Sequence, residues 1–96
     1  MNLKTLLQDP NATIVDVRER WEVAMGNVPG SINIPLGEVP HRVAEFRNMA
    51  KPLILICQSG NRSGIAAAIL KAQGVAEVYN GGAWDDVAAA RMKARA

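Results

Sequence analysis

The chain has one cysteine, Cys57, followed at once by Gln58, Ser59, Gly60, Asn61, Arg62 and Ser63. A thiol acts as a nucleophile through its anion, and thiolates are stabilised by nearby cations, helix N-termini and convergent N–H groups. This short string offers all three. Gly60 permits a turn with positive φ, its small polar neighbours let consecutive amides face inward as an anion-binding nest, and Arg62 adds positive charge. The competing reading is a small buried hydrophobe ending a core strand, since free cysteine is among the most buried residue types. A core has no need of the polar residues that follow.

The flanking residues say what must hold this loop. Leu53 to Cys57, "LILIC", is a continuous apolar run after Pro52, as expected of a strand buried on both faces in a parallel sheet. From about Arg62 to Gln73 the chain reads as a helix that Gly74 stops. Ile65, Ala66, Ala67, Ala68, Ile69 and Leu70 leave it almost no polar face, which predicts deep burial. Cys57 thus falls at the carboxyl end of a central strand, where open α/β sheets bind ligands, and its loop opens onto a helix N-terminus that favours anions.

Other segments complete the alternation. Leu3 to Gln8 suits a short helix stopped near Pro10 and Asn11, and Thr13 to Val17 a β-branched strand. "RERWEVAMG" suits one or two helical turns, and Ser31 to Ile34 a short strand. After Pro35, Val39, Val43, Phe46 and Ala50 recur at helical spacing, predicting one amphipathic helix. "AEVYN" reads as a strand before a Gly81-Gly82 turn. A final helix from about Trp84 has Asp85 and Asp86 first and Arg91, Lys93 and Arg95 last, the order a helix dipole favours. Strands alternating with helices predict an α/β fold.

Composition limits the functions available. Ninety-six residues, 49% hydrophobic and 21% charged, suit one globular domain, 1–96, with room for one core and one site. The net charge of +2 is small, but residues 49–96 carry six basic and three acidic side chains against five and six before them. The half holding Cys57 therefore favours an anionic substrate or acidic partner. Four aromatics and no Lys/Arg-rich run argue against nucleic acid. No apolar stretch approaches the roughly 20 residues of a membrane span, and the opening residues do not read as an export signal. A lone cysteine forms no internal disulfide, so the expected home is the reducing cytoplasm.

Three stretches carry a family resemblance. "CQSGNRS" resembles the active-site loop of the rhodanese family of sulfurtransferases, "IVDVRERWEVAMGNVPGSINIP" the family's segment between its early strands, and "VYNGGAWDDV" its late Gly-Gly and Trp element; together they cover about residues 13–88. The resemblance implies a parallel sheet of about five strands with helices on both faces, reduced at the N-terminal edge because only 12 residues precede Thr13. An uncovered edge there would permit a weak homodimer beside the monomer. It also implies that Cys57 takes a sulfane sulfur from thiosulfate or another persulfide donor. The persulfide then passes to cyanide, a thiol or a protein acceptor, without metal or organic cofactor. Two alternatives stand beside it. One is a sulfur-carrier or interaction module fed by a protein; the other is a phosphatase or arsenate reductase, whose relatives space Cys and Arg by five residues where Cys57 and Arg62 have four between them.

In this reading residues 58 to 63 and Arg18 bind the donor. Asp16 supports the loop after the first strand, while Arg18 either pairs with it or attracts the anion. Arg62 reaches inward to the anion or outward to solvent, and Ser59 and Ser63 either donate to the persulfide or cap the helix. Trp21 and Trp84 are expected in the core, His41 on a solvated face, and Met25, Met49 and Met92 in packing or surface positions. Two departures stand out: Asn27 where the family commonly has His, and Gln58 where many relatives have Arg. The second removes a positive charge beside the sulfur and favours a persulfide or protein donor.

Overall fold

The computed structural model describes residues 2–95, with side chains through Met92. Four parallel strands, β1 (Thr13–Asp16), β2 (Ile32–Asn33), β3 (Leu53–Cys57) and β4 (Val78–Ala83), lie in the order β2-β1-β3-β4. The helices are α1 (Leu3–Gln8), α2 (Arg20–Ala24), α3 (Val43–Asn48), α4 (Asn61–Ala72) and α5 (Trp84–Arg95). This is the α/β layering expected, with four strands and a β2 edge of only two residues. No helix among the described residues is long and apolar enough to cross a membrane.

All five residues of β3 are buried, and strand alternation divides them between two layers. Leu53, Leu55 and Cys57 join Phe46 of α3 and Ala66, Ala67 and Leu70 of α4. Ile54 and Ile56 join Leu6 and Leu7 of α1 and Val87 of α5. The sulfur therefore emerges on the α4 side, beside that helix's first turn.

Four local expectations are corrected. The single helix after Pro35 is two pieces, a 3-10 turn at Leu36–His41 and α3; Pro40 inside the turn lacks an N–H and ends helical continuity. Gly81 and Gly82 do not turn the chain: they lie inside β4, where the register passes from Leu55↔Asn80 to Ile56↔Gly82, a β-bulge with Gly81 as the extra residue. A Cβ on Gly81 would fall 2.7 Å from Ile54 Cγ2 and 2.9 Å from Ile56 Cγ2, so a larger residue does not fit. Helix α4 is not buried all round, since Ile65 is 53% exposed. Trp21 is no core residue either, being 68% exposed on the five-residue α2, which has no buried residue. Trp84, by contrast, packs against the α1/α5 layer, and His41 is exposed as expected.

Candidate active site

The loop after β3 turns through Gly60, whose φ of +94° makes it the left-handed N-cap of α4. That conformation costs a side-chain-bearing residue energy. The turn points amides at the sulfur. Gly60 N–H donates to Cys57 Sγ at 3.0 Å and Ser63 N–H at 3.4 Å, while the Ser63 hydroxyl lies 3.3 Å away. Burial pushes the Cys57 thiol up, but the Ser63 hydroxyl and the N–H groups of Ser63, Ser59 and Gly60 outweigh it, leaving the thiol below its ordinary value. The side chain is fully buried. The arrangement stabilises negative charge on Sγ.

Neither arginine offers a free guanidinium to this centre. Arg62 runs to α2, where Nη1 and Nη2 meet the two Glu22 oxygens at 2.6 and 2.9 Å. The Arg62 hydrogen bond holds the Glu22 carboxyl at about 2, well below the usual carboxylate range. Arg18 is buried with Asp16. Its Nε and Nη2 donate to the carboxylate at 2.7 to 3.0 Å, Nη2 also to Gly26 O at 2.8 Å, and its guanidinium lies 4.6 Å from the Trp84 ring centroid. Arg18 is thus paired with Asp16. Gly26 sits flush against that indole, since a Cβ would come within 2.8 Å of it.

The remaining loop residues divide by exposure. Gln58, Ser59 and Asn61 are exposed, and Gln58 Oε1 accepts from Trp84 Nε1 at 3.3 Å. Ser63 is fully buried and donates to Asn80 Oδ1 at 2.7 Å. Asn27 donates to Val23 O at 3.0 Å, bracing its own turn. A cleft of about 240 Å³ lies beside the loop, between Gln58, Trp84 and the exposed Trp21 and Met25 of the α2 segment. A larger groove of about 610 Å³ belongs to the opposite layer, between Leu3 and Leu7 of α1 and Val87 and Ala90 of α5.

Sequence reasoning missed Glu22 and Asn80. Glu22 lies 40 residues from its partner, and no local pattern joins them. Asn80 had a usable signal, because Asn ahead of Gly-Gly suggests a side chain bonding its own backbone two residues on; Gly82 N–H does donate to Asn80 Oδ1, at 3.0 Å.

The rhodanese-like domain family model matches residues 2–89. The chain belongs to the rhodanese family. It is 43% identical over 72 residues to a putative sulfur carrier protein, YrkF, of Bacillus subtilis, covering 75% of this chain and 38% of that one. It is 34% identical over 77 residues to the thiosulfate sulfurtransferase GlpE of Pseudomonas savastanoi, covering 77% of this chain and 69% of GlpE. The chain thus spans well under half of the first relative and about two thirds of the second. Among solved structures, the human single-domain sulfurtransferase TSTD1 superposes with a TM-score of 0.71 at 32% identity, covering 88% of this chain and 87% of TSTD1. Rhodanese membership agrees with the layering and with the loop that encloses the sulfur.

Proposed function

We propose that this rhodanese domain is a sulfurtransferase that carries a sulfane sulfur as a persulfide on Cys57. The observation that carries the reading is the approach of the Gly60 and Ser63 amides to within 3.0 and 3.4 Å of Sγ. Dipoles fixed in that way stabilise an anion without reorganising during the reaction. The Cys57 thiolate attacks the outer sulfur of the donor, and the donor's S–S bond breaks. Its electron pair leaves on the departing group, which is sulfite from thiosulfate or a thiolate from a persulfide. An acceptor thiolate or cyanide then attacks the terminal sulfur, and the Cys57 thiolate is restored.

The two paired arginines favour a singly charged persulfide, small or protein-borne, over the dianionic thiosulfate. Recognition then rests on neutral amides, which suit one charge. The similarity to a putative sulfur carrier supports the same preference. The phosphatase alternative lacks its guanidinium, since Arg62 is occupied by Glu22. An unprotected thiol as the working group also suits the reducing cytoplasm.

Intact mass spectrometry after incubation with a persulfide, and separately with thiosulfate, tests the proposal. The protein gains the mass of one sulfur, cyanide removes it, and Cys57→Ser gains none. Persulfide loads faster than thiosulfate. No sulfur gained from either donor would sink the reading, and equal loading would remove the donor preference.

A further inference from the structure

The geometry points to Asn80 of β4 as a positioning residue that decides which way the Ser63 hydroxyl points, and through it how readily Cys57 bears negative charge. The Ser63 hydroxyl has a single hydrogen and two neighbours able to take it, Asn80 Oδ1 at 2.7 Å and Cys57 Sγ at 3.3 Å. While the cysteine is a thiol, both contacts are satisfied in sequence: S–H gives to Ser63 Oγ, and Ser63 O–H gives to Asn80. Once the sulfur is an anion it offers only lone pairs, so the hydroxyl must turn to it and leave Asn80. The carbonyl of Asn80 can release that hydrogen because it still accepts from Gly82 N–H at 3.0 Å.

The other end of the same amide fixes its orientation. Asn80 Nδ2 donates to Gly60 O at 3.0 Å; a flipped amide would set oxygen against Gly60 O and nitrogen against Gly82 N–H. Asn80 thus ties the bulge of β4 to the residue whose N–H meets the sulfur, and it competes with the sulfur for the one movable hydrogen. The charged groups near the loop are Arg62 of α4 with Glu22 of α2, Glu19 ahead of that helix, and the Asp16–Arg18 pair at the end of β1. Asn80 and Ser63 are neutral, so their coupling runs through hydrogen-bond direction.

This role rests on Cys57 being the sulfur-bearing nucleophile, yet it is measurable without sulfur transfer. The thiolate ultraviolet absorbance of the lone cysteine, with Cys57→Ser as the blank, is titrated against pH in the unaltered protein, N80A, S63A and the double variant. Removing Asn80 also frees Gly60 O, but that effect is common to both backgrounds and cancels in the cycle. The titration midpoint in N80A falls, relative to its parent, by about half to one pH unit more with Ser63 present than in the S63A background, the scale of one hydrogen bond. Equal shifts in the two backgrounds overturn the role. If N80A does not fold, N80D keeps the size and the turn acceptor. Its tighter hold on the hydroxyl raises the midpoint more with Ser63 than in the S63A background, and equal shifts again overturn it. Sulfur loading that persists beside additive midpoints refutes the Asn80 role alone, whereas coupled midpoints without loading refute the proposed activity alone.

Discussion

The ends of β1 and β3 lie side by side, with Asp16 registered against Ile56, and they use polar groups in opposite ways. At the end of β1, a buried carboxylate and a buried guanidinium cancel each other, and the arginine is further fixed by Gly26 O and the Trp84 ring. After β3, N–H donors converge on a sulfur that has no cation bonded to it. Side-chain charge makes the stiff wall, and backbone dipoles make the reactive cup. A fixed charge pair holds shape but is already neutralised; amides of a constrained turn remain able to respond to charge that comes and goes with the reaction.

Substitutions at the two ends separate these jobs. Asp16→Ala strands the Arg18 charge in the interior and costs about 3–5 kcal/mol of folding stability, read by chemical denaturation. Gly60→Ala forces a side chain into left-handed backbone and costs about 1–2 kcal/mol. It also moves an N–H off the sulfur, so the thiolate absorbance midpoint rises; an unchanged midpoint would show that the turn matters only for folding. Glu22→Gln acts at the border of the two regions. Because the folded Glu22 carboxyl sits at about 2 against an ordinary 4.5, its contribution is complete above about 4.5 and disappears as pH falls towards 2. The variant therefore loses thermal stability at neutral pH and shows a shallower acid decline than the parent. Trp21→Ala, on an exposed helix, changes stability by less than about 0.5 kcal/mol.

Most of this architecture was readable where a pattern is local. The apolar run Leu53 to Cys57 matches β3 residue for residue, and Leu3 to Gln8 matches α1. The polar loop with Gly60 announced a turn before α4, and Asp16 beside Arg18 announced an ion pair. Long-range partnerships were not readable. Whether Arg62 faces an anion, solvent or Glu22 depends on where α2 is carried by the segment between β1 and β2, which no spacing encodes. Gly81-Gly82 reads as a turn in sequence because bulge and turn use the same residue type for the same backbone freedom. Trp21 departs from its expected burial because a large aromatic suggests a core position, while the five-residue α2 buries none of its residues.

The extra glycine in β4 also has a geometric effect. Asn80 registers with Leu55 and Gly82 with Ile56, so Gly81 is a residue that β3 does not count. Gly81 acts as a spacer in the strand: it lets Asn80 reach Gly60 and Ser63 while Trp84, at the start of α5, still meets Gln58 and the Arg18 guanidinium. Deleting Gly81 would draw Trp84 one residue closer to Asn80 and pull the indole out of step with those two partners.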